Sequence, residues 1–525
     1  MENNEDSKVN KNNEYNQLII LGNGFDLKCD LHTHYDDFFD ERFGIKAACK
    51  VNKKAGKAKC RRKLKEILKD QIQYRFNLDY FDNTDFIGEI ISNAFEDNIR
   101  SLDILTQNQR GLADKERDIL KETHYTKWDA IFLFTFATLT DRSIIYWNDV
   151  ERIIYFVITW ALDKYEEVRN SDTGVEDDKL NADLYYSFIR LFSNFEFENM
   201  DFRGNLYIEN KEEMYAPVYL RSIIEKQFMS QFMSSKKYIS NKNINNMAIE
   251  MLQSLNKFEK IFSNFIVKQI SDKPDYVGTA SKLLYSIVKT HIDMLDININ
   301  PENYSTEVPC NANLDIFNFN YSLNKDDISK IESSQENIKI NSLTNIHGIA
   351  TNYSEKEINE SLDNKGKLPA PIFGVDSHDI FEPSNENNTN FDDPRIIFTK
   401  SFRLLDNHIN DIRKSNFQND VDVITFFGHS LSHADYSYFE SIFDKYHIYD
   451  SNVKLEFYYY PGEIKPGSKP EDIQANAKIQ ERKTMKNVVE LLTAYGETVP
   501  GIHGENIINK LMLEQRLSVL PYPEI

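Results

Sequence analysis

Gln17-Leu18-Ile19-Ile20-Leu21-Gly22-Asn23-Gly24-Phe25-Asp26-Leu27 is the stretch whose reading decides the fold. A short, unbroken apolar run stops at two glycines and resumes as an amphipathic segment. Gln17 to Leu21 reads as a buried parallel strand, since such runs bounded by a turn signal fill sheet interiors. Gly22 and Gly24 permit φ > 0 and keep Cβ atoms out of a ligand's way. A helix beginning near Asp26 points its free N–H groups back at that turn, a geometry that cradles phosphate. The third glycine of GxGxxG would fall at Leu27, so the dehydrogenase fingerprint is absent. A tight βα turn without any ligand fits the same residues.

The polar motifs after residue 300 extend this reading. Leu314 to Asn320 is strand-like and runs into Tyr321-Ser322; Lys339 to Ile346 ends at His347-Gly348. Leu368 to Val375, Val421 to Phe427 and Val453 to Tyr460 read as further strands, ending at Asp376, Gly428-His429-Ser430 and Pro461-Gly462. Helical patterns intervene at Pro394 to Lys414, Asp435 to Tyr446 and Lys469 to Tyr495. Alternating strands and helices imply a doubly wound, mainly parallel, Rossmann-like α/β sheet, whose ligands sit at the strands' carboxyl ends. Every polar motif falls at such an end, which predicts one composite site.

Between these halves the pattern is helical. Asp149 to Glu166, Tyr185 to Phe195, Asn245 to Phe265 and Ala280 to Leu295 place apolar residues three and four apart. The expected organisation is a disordered lead-in over 1–15, a first part of the α/β core over 16–80, a large α-helical insertion over 81–300, and the second part of the core with C-terminal helices over 301–525. Thr33 is the expected N-cap of a helix with Asp36 and Asp37 in its first turn.

The 525 residues exceed one ordinary core. A net charge of −21 argues against a general nucleic-acid coat. The basic stretch Lys46 to Lys69 reads either as an anion contact or as a solvated helix face, the commoner use of a charge run. Cys29, Cys49, Cys60 and Cys310 form no CxxC, so reduced cytoplasmic thiols are expected. No run is long and uncharged enough for a membrane span, and Met1 to Glu14 lacks the apolar core of a signal peptide.

Chemically, Asn320 can hold a ribose hydroxyl or a water, and His347 can act as general base. Ser430 and the amides after Gly428 can bind hydroxyl or phosphate oxygens. Two other enzyme readings use the same segment. Gly428-His429-Ser430-Leu431 resembles the nucleophile elbow of α/β-hydrolases, with Ser432 in place of the second glycine and only one clear strand following. His429, His433 and Asp435, with His32 and His34, could bind a metal, although the helical motif HExxH is not present.

Taken together, Gly22-Asn-Gly-Phe-Asp-Leu27, Leu31-x-Thr-x-Tyr-x-x-Phe38, Phe319-Asn-Tyr-Ser322, Ile346-His-Gly348 and the Gly428-His-Ser-Leu segment with Asp435 resemble the AbiH family of phage abortive-infection proteins. Trp147-Asn-Asp149-Val-Glu151 is similar to a Trp-x-Asp-x-Glu element of that family. The motif order also resembles sirtuin-like NAD-binding domains. That resemblance implies a cytoplasmic NAD hydrolase of antiviral defence, with Gly22, Asn23, Gly24, Phe25 and Asp26 around the phosphates. Asn320 and His347 would be catalytic, and Gly428, Ser430 and Asp435 would contact the rest of the nucleotide. A phage trigger protein and a homo-oligomer are the implied partners; metal, membrane and nucleic acid are not. A nucleotide-binding sensor without turnover is the non-enzymatic alternative. The sequence departs from the sirtuin pattern at Ser322, where an acid is usual, and lacks a zinc module.

Overall fold

The structure, a computed structural model, describes residues 14–52, 56–76, 85–100, 105–138, 147–162, 241–299, 311–334, 338–360, 368–380, 393–409, 418–431, 435–462, 467, 469–499 and 504–524. Six parallel strands form one sheet: β1 (Glu14–Leu21), β2 (Asn311–Asn318), β3 (Ile338–Asn345), β4 (Val423–Phe427), β5 (Lys454–Tyr459) and β6 (Leu517–Pro521). Their order is 3-2-1-4-5-6. That is the Rossmann order, in which the sheet grows outward both ways from β1 and reverses between β1 and β4. A ligand crevice is expected there.

The apolar runs form strands because both faces are covered. Leu18, Ile20, Ile424 and Phe426 face one layer with the helices Tyr436–Lys445, Pro470–Thr498 and Ile507–Leu513. Ile19, Leu21, Leu314 and Ile316 face the other, with the helices Tyr276–Ile299 and Lys325–Ser333. Polar residues within the sheet find partners on neighbouring strands: Gln17 Nε2 donates to Thr425 Oγ1 at 2.8 Å, and Thr425 Oγ1 donates to Glu456 at 3.1 Å.

A third core lies among helices from the segments between β1 and β2. It joins Tyr35–Arg42, Lys127–Thr138, Trp147–Leu162 and Asn241–Ser271, with Phe38 edge-on to Phe262 at 5.2 Å. Tyr321, Phe373, Val375 and Phe398 also belong to it, so this helical layer lies against loops at the sheet's carboxyl end. The expected helices at Asn245 to Phe265 and Ala280 to Leu295 fall within observed ones; that at Asp149 to Glu166 matches Trp147–Leu162 up to Leu162, and residues 163–166 lie outside the described residues. Tyr185 to Phe195 and nearly all of the expected lead-in lie outside the described residues. Among the described residues, no helix is long and apolar enough to cross a membrane.

Several expectations need correction. Leu368 to Val375 is not a strand of the sheet. Ile372 donates to the His347 carbonyl and Val375 bridges Thr399, while the Phe373 amide is taken by the Glu259 carboxylate at 2.7 Å, so side chains interrupt any ladder. Pro394 to Lys414 splits into a 3-10 turn, Pro394–Phe398, and the helix Lys400–Asp406. Thr33 does not cap the helix Tyr35–Arg42; His34 stands at that position, and the Thr33 hydroxyl donates to Asn23 Oδ1 at 2.6 Å. β6 makes a second strand after Gly428 where one was expected.

Candidate functional site

The distant motifs meet at one edge. β1 ends on Gly22, β2 runs into Asn320, β3 into His347 and β4 into Gly428. Asn320 Nδ2 donates to the Gly22 carbonyl at 3.3 Å, and the Gly24 amide donates to the Gly428 carbonyl at 2.9 Å. Phe319 stands edge-on to both His347, at 5.5 Å, and His429, at 4.8 Å. Asn320 and His347 are both buried.

The glycines let two turns of backbone pack together. Gly22 is extended and needs no positive φ. A Cβ on Gly22 would lie 2.5 Å from His429 Cα, and one on Gly24 would lie 2.6 Å from Gly428 Cα. Gly428, at φ +70°, occupies the left-handed region and would drive a Cβ to within 2.6 Å of the Gly24 backbone. The two turns therefore touch backbone to backbone at the switch point. Their amides are spent inside the protein: Gly22 donates to Phe427, Gly24 to Gly428 and Phe25 to Gly22. The helix that follows, Asn23–Lys28, has only six residues.

Asp26 is buried in this turn. Its Oδ1 accepts from Ser322 Oγ at 2.6 Å and from the Tyr276 hydroxyl at 2.7 Å. Burial pushes its carboxyl up to about 6, against the two hydrogen bonds, which lower it.

Beside the glycine contact lies a buried charged cluster. Lys400 Nζ sits 2.8 Å from Glu151 Oε1 and 2.8 Å from Asp435 Oδ1. Asp435 Oδ2 is 3.3 Å from His429 Nε2, and Asp435 Oδ1 is 3.8 Å from His347 Nε2. The His429 Nδ1 accepts from the Leu431 amide at 3.0 Å, which leaves the ring hydrogen on Nε2, facing Asp435. Burial opposes ionisation of Asp435, yet Lys400 and the two histidines hold its carboxyl well below the usual range. Burial pushes Glu151 up to about 8; Lys400 counters this and Asp435 adds to it. Lys400 is raised despite burial by the two carboxylates.

The sequence singled out Asp435, His347 and His429 but assigned no site role to Glu151 or Lys400. The available signal for Glu151 was the Trp147-x-Asp-x-Glu151 element. Lys400 lies in an unremarkable helical pattern and carries no motif.

Ser430 is exposed, and the positive φ falls at Leu431 (+55°), not at the serine as a nucleophile elbow requires. Among the described residues no group of three or more His, Cys, Asp or Glu could hold a metal ion; His433 and Ser432 lie outside them. Cys29, Cys49 and Cys60 form no disulfide among the described residues, and Cys310 lies outside them. Part of the basic stretch is paired with the acidic helix before it: Lys57 Nζ meets Asp37 at 2.9 Å and Asp40 at 3.0 Å, and Arg61 meets Asp36 at 2.8 Å.

The chain matches no family model, and comparison with curated proteins and with solved structures finds no match.

Proposed function

We propose that this chain is a cytoplasmic phage-defence effector of the AbiH type, with a sirtuin-like core that binds NAD and hydrolyses it to nicotinamide and ADP-ribose. The observation that carries the reading is the convergence of the Gly22 turn, Asn320, His347 and Gly428 where the 3-2-1-4-5-6 sheet reverses. The acid expected two residues after Asn320 also has a counterpart: Ser322 stands there, hydrogen-bonded to the Asp26 carboxyl.

On this reading a water adds to the anomeric carbon as the bond to nicotinamide breaks. The bonding pair leaves with the nicotinamide ring, which departs neutral. Asn320, held by Gly22, offers Oδ1 to that water or to a ribose hydroxyl. His347 takes the water's proton, and the nearby Asp435 carboxylate favours the imidazolium that results. The phosphates must find donors other than the Gly22 and Gly24 amides, which are already engaged.

Purified protein incubated with NAD should release nicotinamide and ADP-ribose in equal amounts. His347→Ala and Asn320→Ala should each lower the rate by about 100-fold or more, the usual scale for a general base or a positioning donor. No turnover under any condition, with NAD binding unchanged in His347→Ala, would overturn the enzyme in favour of a nucleotide-binding sensor. Asn320 and His347 are both buried in this conformation. A phage trigger or self-assembly that opens the site would reconcile the burial with catalysis.

A further inference from the structure

We propose that Lys400, anchored by Glu151 of the helical layer, is a positioning residue that holds the Asp435 carboxylate beside His429 and restrains its pull on His347, so that the reacting edge is complete only with the helix Trp147–Leu162 in place. The proposal deepens the preceding reading only in taking His347 as the base.

The geometry draws on five elements of the chain. Glu151 lies on the helix Trp147–Leu162, Lys400 opens the helix Lys400–Asp406, Asp435 is the N-cap residue of the helix Tyr436–Lys445, and His347 and His429 follow β3 and β4. Asp435 makes no capping hydrogen bond with its side chain, so the carboxylate is turned to the cluster instead. Its two oxygens are divided: Oδ2 faces His429, and Oδ1 takes Lys400 while lying 3.8 Å from His347. The Lys400 backbone is itself fixed, its amide donating to Val375 at 3.0 Å and the preceding Thr399 capping the helix. Other titratable or charged groups around the cluster are Tyr438, edge-on to His347 at 5.2 Å, Tyr321 with Glu259 and Arg403 acting on it, Asp376, whose carboxylate accepts from Ser437 at 2.8 Å, and Asp379, which acts on Glu151 through space.

Lys400 and His347 therefore compete for one carboxylate oxygen. While the ammonium holds Oδ1, the His347 ring stays easier to deprotonate and remains available as a base. Without the ammonium, the carboxylate acts in full on His347 and favours its protonated form; an opposite charge at this range moves a titration by about one unit or more.

The test is a ring-proton NMR titration of the full chain, with His347 and His429 assigned by single His→Gln variants. Lys400→Met should raise the His347 midpoint by about one unit or more, and any NAD hydrolysis should shift its pH profile alkaline by the same amount. Glu151→Leu, which deprives Lys400 of its anchor, should move the midpoint in the same direction. Glu151→Gln, which keeps an oxygen for Lys400, should leave it nearly unmoved. A folded Lys400→Met that leaves His347 in place overturns the proposal, and so does equal behaviour of the Leu and Gln variants at 151. The 151 pair decides the matter if Lys400→Met does not fold. Because the readout is a titration, a protein that never hydrolyses NAD can still confirm the cluster, and an active one can still refute it.

Discussion

Arg403 and Lys400 stand one turn apart on the same short helix, and each is buried against carboxylates, yet the two sites are built on opposite plans. Arg403 is closed. Its guanidinium grips both oxygens of Glu259, with Nη2 at 2.6 Å from Oε2, and also donates to the Phe373 carbonyl at 2.9 Å and to Asn256 at 2.5 Å. Glu259 in turn accepts from the Phe373 amide. One cation meets one anion in a bidentate fork, with further Nη donors placed on Phe373 and Asn256. Lys400 instead serves two carboxylates, one of which also faces two histidines. Burial pushes Glu151 up to about 8, with Asp435 adding to the rise and Lys400 only partly countering it, while Lys400 and the two histidines hold Asp435 low. A fully matched ion pair fixes structure; an unequal division of protons among crowded groups is the arrangement that chemistry uses.

The sharpest way to break this comparison is at Arg403. Arg403→Met leaves Glu259 buried without its counter-ion and the Phe373 carbonyl without its donor. The expected loss is about 3–5 kcal/mol, read as a lower midpoint of urea unfolding. Arg403→Lys should recover only part, because a point charge cannot reproduce the fork. A loss below about 1 kcal/mol would mean that the pair holds nothing together.

Asp26 sharpens the comparison from the other side, being a buried acid held by hydroxyls alone, from Ser322 and Tyr276. Its folded value of about 6 lies above the ordinary 3.8. The carboxyl therefore contributes stability that is full below pH 3.8 and is lost as pH rises through 6. The difference, about 2 units, is worth about 3 kcal/mol. Asp26→Asn keeps an oxygen for both hydroxyls and has no proton to lose. Relative to the natural protein, the variant should gain about 3 kcal/mol between pH 3.5 and pH 7.5 in paired unfolding measurements. Parallel stability curves across that range would show that Asp26 is not buried as an acid.

How much of this was written in the chain differs between the two plans. The sheet was legible at its centre because β1 and β4 are short apolar runs of the kind a doubly covered parallel strand needs, whereas β2 and β3 alternate apolar with polar residues. The convergence of Gly22, Asn320, His347 and Gly428 was legible too, since parallel strands bring their carboxyl ends to one edge. β6 escaped because Leu517–Pro521 is a short edge strand that is only partly buried and ends in proline. Leu368 to Val375 misled because it is as apolar as a strand, yet Glu259 and Arg403, each over a hundred or some thirty positions away, take its Phe373 backbone groups. The glycine turns were found for the right residues and a different reason: they admit another backbone, that of Gly428, where a phosphate had been expected. Glu151 and Lys400 were beyond reach because their meaning is a distance of 2.8 Å between segments separated by some 250 positions, and neither local pattern encodes it.

The smallest effect lies where charge is abundant but solvated. Lys46 and Glu41 pair at 3.0 Å with the lysine side chain 54% exposed, and Glu41 keeps a second cation, Lys268, at 2.7 Å. Water screens such a contact and ordering a long side chain offsets most of it, so Lys46→Gln should cost no more than about 0.5 kcal/mol. Molar salt, which shortens screening to about 3 Å, should erase even that difference in melting experiments. The Lys46 to Lys69 stretch then stands as a solvated face stitched to the acidic helix Tyr35–Arg42, chiefly through Lys57 and Arg61. A loss above about 1.5 kcal/mol that persists in high salt would instead place Lys46 among the buried pairs and remove the contrast with Arg403.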